Sequence, residues 1–328
     1  MNDTPEQLKT IAQSTKQSVP THVLTHNPYI KAATTHNTRK AYRSDIRHYE
    51  QWGGALPTTA KHIVAYLNQY AETLSLRTLS RRLTALKQWH VYQHFPDPTD
   101  DPFVKKTLIG IGNVHGKPKN KAPAITAEQL FTIIQVLCTQ SDLIALRDRA
   151  LLQVGFFGAF RRSELVQIQF SDLVFSKKGV EIVIPRSKTD QQGEGQVCAL
   201  PYGNEKLCPV FALKQWMERA EITEGPIFRA ISRWGKVGET SLTAISVNSI
   251  LKHRAAEAQL PNAELLSSHS LRRGLATSAS LNGASIKAIM RQGRWQHVNT
   301  VLGYIEASQL FDDNAAEAVL KVKKQSKE

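Results

Sequence analysis

The sequence predicts a mainly α-helical protein with one small antiparallel β-sheet, divided into a helical N-terminal domain and a larger α+β domain. Large side chains recur at helical spacing from about residue 38 to residue 90. Between residues 170 and 201 the period changes to short runs rich in Val and Ile, parted by turn residues. A stretch of Pro and Lys lies between the two patterns. A length of 328 residues exceeds what one compact core usually holds, which agrees with two domains.

Residues 1–22 are polar, rich in Thr, Gln and Ser, and carry no sustained apolar period, so they are expected to form a flexible tail. The first domain is placed at 23–115. Its first helix runs from Thr38 with Tyr42, Ile46, Tyr49 and Trp52 on one side, and Gly53-Gly54 ends it. A second starts near Thr58 and turns Ile63, Val64, Tyr66 and Leu67 to a core. A third runs from Thr78 through Leu79, Leu83, Leu86 and Trp89, with Arg77, Arg81, Arg82, Lys87 and His90 on its polar side. A basic face beside an apolar one suits a helix lying on DNA, although it equally suits a solvated surface helix. Residues 116–124 form the linker, in which Lys117, Lys119 and Lys121 alternate with helix breakers and can track a phosphate backbone.

The second domain spans 125–328 and opens on an N-cap signal at Thr126, followed by helices near 127–138 and 141–157. Phe170–Phe175, Val180–Pro185 and Gly195–Pro201 are read as three antiparallel strands. Helical periods resume at Pro209–Ala220, Ala244–Ala258, Ser270–Asn282 and Ser285–Gln292. Asp312 then caps a short terminal helix, followed by a basic tail.

A formal charge of +14 leaves many Lys and Arg unbalanced, and the partner that relieves their repulsion is a polyanion, so nucleic acid is expected. Cys138, Cys198 and Cys208 are an odd set without C-x-x-C spacing, read as reduced and buried and as neither a zinc site nor a disulfide framework. No apolar run nears the ~20 residues that cross a membrane, and the first residues lack a signal pattern, so a cytoplasmic protein is expected. No metal or cofactor is expected.

Breaking a DNA phosphodiester without a metal requires fixed positive charge on the nonbridging oxygens, and two guanidiniums supply it. Arg161 and Arg272 are the candidates. Each has a partner three residues away on the same helical face, Glu164 for Arg161 and His269 for Arg272, and Glu164 is expected to orient Arg161 by an ion pair. Arg162 and Arg273 are one residue off and are assigned to backbone contacts or solvent. Tyr304 follows as a phosphate-attacking hydroxyl.

Arg161-x-x-Glu164-Leu165, a lysine in a β-turn, His269-x-x-Arg272 and Tyr304, in that order, resemble the tyrosine recombinases and integrases, over nearly the whole chain from about residue 25. The resemblance implies a helical core-binding (SAM-like) domain and an α+β tyrosine-recombinase catalytic domain that together clamp double-stranded DNA. It implies that Arg161 and Arg272 hold the scissile phosphate and that Tyr304 attacks it to leave a 3′-phosphotyrosyl link, without metal or ATP. Lys188 would protonate the departing 5′-oxygen and His269 would take the tyrosine proton. Nine residues before Tyr304, where the family more often has a second histidine, stands Trp295, which looks like the Cre-type branch and would donate through its indole N–H. His297 is read as surface. The resemblance further implies a nucleoid-associated tetramer on two DNA sites, with a helix near Asp312–Leu320 inserted into a neighbour. A non-catalytic sequence-specific DNA-binding protein would share the charge and helices, and a type IB topoisomerase or telomere resolvase would share the chemistry.

Overall fold

The computed structural model describes residues 32–117, 122–185, 195–204, 206–305 and 316. The chain divides into two compact units between residues 119 and 120.

In the first unit, α1 (His36–Gln51), α2 (Ala60–Gln69), α3 (Leu76–Tyr92) and α4 (Pro102–His115) each begin after a Thr, Ser or Asp that accepts a backbone N–H of the first turn. The helix α4 had no counterpart in the sequence reading. Its Gly-containing interior shows little period, and only Asp101-Pro102, a cap followed by Pro at the first position, marks its start. Tyr49, Ile63, Tyr66, Leu67, Leu79, Leu83, Leu86, Val104 and Ile111 form the core.

Two residues assigned to the polar face of α3 belong inside. Arg82 is buried; its Nη1 donates to Tyr66 Oη at 2.8 Å and lies 2.9 Å from His48 Nδ1, and its Nε stands 3.6 Å from Asp45. It is therefore a core residue and not a surface contact for DNA. His90 is 1% exposed, and its two ring nitrogens bridge Leu86 O and the Thr58 N–H. Arg81 binds Asp45 through Nε and Nη2, both at 2.8 Å, and Lys87 pairs with Asp97 at 3.0 Å. Arg77 and Lys117 are exposed, whereas Lys119 and Lys121 lie outside the described residues.

The second unit is built around α6 (Leu143–Phe157), which is buried on nearly every side and so shows no single apolar stripe. Before it, α5 (Ala127–Cys138) starts in the reciprocal capping box of Thr126 and Gln129. Next come the short α7 (Arg162–Leu165) and a sheet of β1 (Leu173–Phe175), β2 (Gly179–Ile184) and β3 (Gln196–Pro201), antiparallel in that order. Val180, Ile182, Ile184, Cys198 and Leu200 face the core from it. Phe170–Asp172, expected as strand, is a 3-10 turn leading into β1. Then follow α8 (Pro209–Arg219), a hairpin of β4 (Arg229–Ile231) and β5 (Val237–Ser241), α9 (Ala244–Glu257), α10 (Ser268–Leu281), α11 (Ile286–Gly293) and α12 (Val298–Ile305). The β4–β5 hairpin and α12 were not anticipated as elements.

Helices α5, α8 and α10 pack on α6. Helix α9 is tied to it by a buried charge network: Asp148 accepts from Arg147 at 2.7 and 2.9 Å and from Arg254 at 2.8 Å, and Arg254 also reaches Glu257 at 2.7 Å. Cys198 and Cys208 are buried, but Cys138, at the exposed end of α5, is not. The expected helix near Asp312–Leu320 lies outside the described residues except for Ala316, which is helical and exposed. Among the described residues no helix is long and apolar enough to cross a membrane.

Candidate active site

Helix α10 delivers His269 and Arg272 one turn apart, yet their surroundings differ. His269 sits in the first turn and is exposed although Ser268 and Ser270 beside it are buried, while Arg272 is 2% exposed. Gly274 permits a close approach of the helix to Ile125: a Cβ there would lie 2.0 Å from Ile125 O. The Arg272 guanidinium lies over Trp295, 4.3 Å from Cζ to the ring centroid, and Nη1 donates to Ala159 O. Its Nη2 is buried and has no partner among the described residues, an unmet donor of the kind an anionic oxygen satisfies. Burial, then the charges of Arg161 and Arg294, push this guanidinium down to about 9, so the site favours the arrival of an anion.

Arg161 precedes α7 and remains partly exposed. Its Nη1 donates to Glu164 Oε1 at 2.5 Å, and its backbone N–H to Glu164 Oε2 at 3.1 Å. Burial pushes the Glu164 carboxyl up, but its bond and charge contact to Arg161 and the charge of Arg294 outweigh this and hold it below its ordinary value. Arg294 closes the other side, with Nη2 3.4 Å from Glu164 Oε2 and Nη1 donating at 3.0 Å to both Gly158 O and Gln292 O. Two residues here are left-handed, Ala159 at φ 45 and Arg294 at φ 56. Such backbone persists only where its surroundings over-determine it.

Tyr304 reaches this cluster from α12. Its hydroxyl stands 3.2 Å from His269 Nε2, and its ring meets the edge of Trp295 at 5.9 Å between centroids. Thr277 on α10 donates to Tyr304 O at 3.3 Å and holds its backbone. Gly293 leaves room for the indole, since a Cβ there would meet Trp295 at 1.8 Å.

The fold thus brings Arg161, Glu164, His269, Arg272, Trp295 and Tyr304 into one cluster. Lys188, in the connection between β2 and β3, lies outside the described residues. His297 is exposed. Arg273, assigned to backbone contacts or solvent, does donate to Ala122 O, but its guanidinium also lies 5.5 Å over the Tyr304 ring. Arg294 escaped the sequence reading altogether, and its only signal was its place beside Trp295. Chemically, the cluster sets a hydroxyl against a base beside fixed guanidiniums, an arrangement for attack on a phosphorus. Among the described residues no three His, Cys, Asp or Glu side chains gather as metal ligands.

A helical unit followed by an α+β unit with this arginine–histidine–tyrosine cluster defines a DNA strand-transfer enzyme, and similar proteins agree. Residues 123–310 match the phage integrase family, and residues 29–94 match its N-terminal SAM-like domain. The chain is 39% identical over 288 residues to the integrase/recombinase xerD homolog of Selenomonas ruminantium, covering 85% of this chain and 84% of that protein. It is 26% identical over 274 residues to the recombinase cre of Escherichia phage P1, covering 78% and 77% of the two chains. Its fold matches XerH site-specific recombinase bound to palindromic difH substrate in a post-cleavage complex, at a TM-score of 0.60 and 18% identity over 87% of this chain and 79% of that one. The chain belongs to the phage integrase family and is a site-specific tyrosine recombinase.

Proposed function

We propose that the protein cuts and rejoins double-stranded DNA through a 3′-phosphotyrosyl intermediate, with Tyr304 as nucleophile. The Tyr304 oxygen bonds to phosphorus as its proton passes to His269. The bond from phosphorus to the 5′-oxygen breaks, and that oxygen takes a proton from Lys188, leaving a free 5′-hydroxyl. Rejoining reverses these transfers with a 5′-hydroxyl of the exchanged strand, and because the ester keeps the bond energy, resealing needs no ATP. Arg161 and Arg272 hold the nonbridging oxygens. Trp295 fits the Cre-type branch, supporting Arg272 through its ring. Four protomers on two DNA sites, linked through the segment near Asp312–Leu320, complete the reaction.

The observation that carries this reading is the 3.2 Å contact between the Tyr304 hydroxyl and His269 Nε2, set beside a buried arginine with an unmet donor. Incubation with a nicked suicide duplex, followed by a denaturing gel, tests it. Wild type should yield a protein–DNA adduct, in EDTA as well. Tyr304→Phe should yield none while binding DNA within about two-fold, since one hydroxyl is lost from a large charged interface. An adduct from the Phe variant, or none from wild type, would count against it.

A further inference from the structure

We propose that Arg294 is a positioning residue for strand cleavage: it is a second counter-ion of Glu164 beside Arg161, so that the carboxylate orients Arg161 without cancelling the positive charge that Arg161 and Arg272 present to the scissile phosphate. This rests on the roles given above to Arg161, Arg272 and Tyr304.

The cluster holds three guanidiniums, on Arg161, Arg272 and Arg294, and one carboxylate, on Glu164. Were Arg294 neutral, Glu164 would cancel Arg161 and a single positive charge would remain. A phosphodiester carries one negative charge. The five-coordinate species formed once Tyr304 has bonded, and before the 5′-oxygen leaves, carries two. With Arg294 present these four side chains carry a surplus of two positive charges, to which a protonated His269 and Lys188 add, so removing Arg294 halves the fixed charge that faces the doubly negative species and weakens the field that lowers the barrier.

The placement of Arg294 argues for a dedicated role. Its side chain is 3% exposed and that of Glu164 is 5%, so neither charge is screened by water. Its backbone is left-handed, a conformation that favours Gly or Asn. Arginine is held there by its own side chain, through Gly158 O, Gln292 O and Glu164 and by stacking on Phe160 at 4.6 Å. Because that residue caps α11, Trp295 follows it directly and lies under Arg272. Two adjacent residues thus brace both clamping arginines, Arg294 through Glu164 and Trp295 through its ring. The buried Nη2 of Arg272 without a partner is where the freed charge would be used.

The test is the single-turnover rate on a nicked duplex whose scissile phosphate is either native or a neutral methylphosphonate. Arg294→Gln should lower the native-to-methylphosphonate rate ratio at least about ten-fold, with DNA affinity nearly kept, because only the charged substrate needs the lost surplus. Arg294→Lys, which keeps the charge, should recover much of the ratio. The pair Glu164→Gln and Arg294→Gln restores a surplus of two and should bring the ratio back toward wild type. A merely structural residue would slow both substrates alike, so an unchanged ratio in Arg294→Gln would overturn the role. Should that variant fail to fold, as its thermal unfolding would reveal, the double variant decides: a near wild-type ratio supports the role, and one about ten-fold lower overturns it. Absence of any wild-type adduct would instead remove the reading of Tyr304 beneath it.

Discussion

Trp295 separates two accounts of how a residue serves the site. The sequence pointed to its indole N–H as a donor to phosphate, whereas the structure shows its ring as the surface on which Arg272 lies, 4.3 Å from the guanidinium carbon. If stacking is the main service, Trp295→Phe should keep cleavage within about ten-fold of wild type and Trp295→Ala should lose far more, since only Ala removes the aromatic face. Equal losses in a single-turnover assay would return the role to the N–H. Glu164 yields a pH prediction. Its folded-state value lies below its ordinary 4.5, so its stabilising contribution is full above that value and is lost as pH falls through the lower folded one. Acid unfolding of wild type should therefore steepen below about pH 4.5 relative to Glu164→Gln, as read by far-UV circular dichroism. Arg161 with Glu164 and His269 with Arg272 can be picked out in sequence because each pair is three positions apart, within one turn of chain, and the Arg161–Glu164 pair meets at 2.5 Å. Arg294 cannot be, because what it touches, Glu164, is far off in sequence and adjacent only after folding.

Among the elements, those with a cap and a one-sided period were readable: α1, α2, α3, α5 and the three-stranded sheet lie close to their expected ranges. The residues facing inward were less so. Arg82 and His90 look like surface side chains in a helical period, but inside the unit Arg82 bonds Tyr66 while leaving its Nε without a hydrogen-bond partner among the described residues, and His90 bridges Thr58 and Leu86. Helix α4 and the β4–β5 hairpin were missed because each lacks a sustained period. The packing of α9 on α6 supplies a stability prediction. Removing the carboxylate in Asp148→Ala leaves Arg147 and Arg254 buried beside each other without their shared partner, which should cost about 3–5 kcal/mol in denaturant unfolding of the second unit. A loss under about 1 kcal/mol would mean that water or Glu257 takes over.

At the scale of the whole molecule, the charge of +14 favours a polyanion, and the number of phosphates that the Lys and Arg side chains neutralise sets how DNA binding responds to salt. Each phosphate neutralised contributes about −0.9 to the slope of log affinity against log salt. The exposed Arg77, if it meets phosphate, should on substitution by Ala reduce that slope by about one with little effect on unfolding, whereas the buried Arg82→Ala should destabilise the first unit instead. Titrating binding across salt and following unfolding separates the two. The two-domain division was legible from the Pro- and Lys-rich break, and membership of the tyrosine recombinases from motif order, because both are written in the chain as local patterns. The central claim concerns one phosphorus, and a crystal structure with nicked duplex DNA and vanadate at the break addresses it most directly. The account predicts vanadium bonded to Tyr304 Oη, with Arg161 and Arg272 donating to its oxygens at about 3 Å. Vanadate bonded to another side chain, or with either arginine out of hydrogen-bond reach, would contradict it.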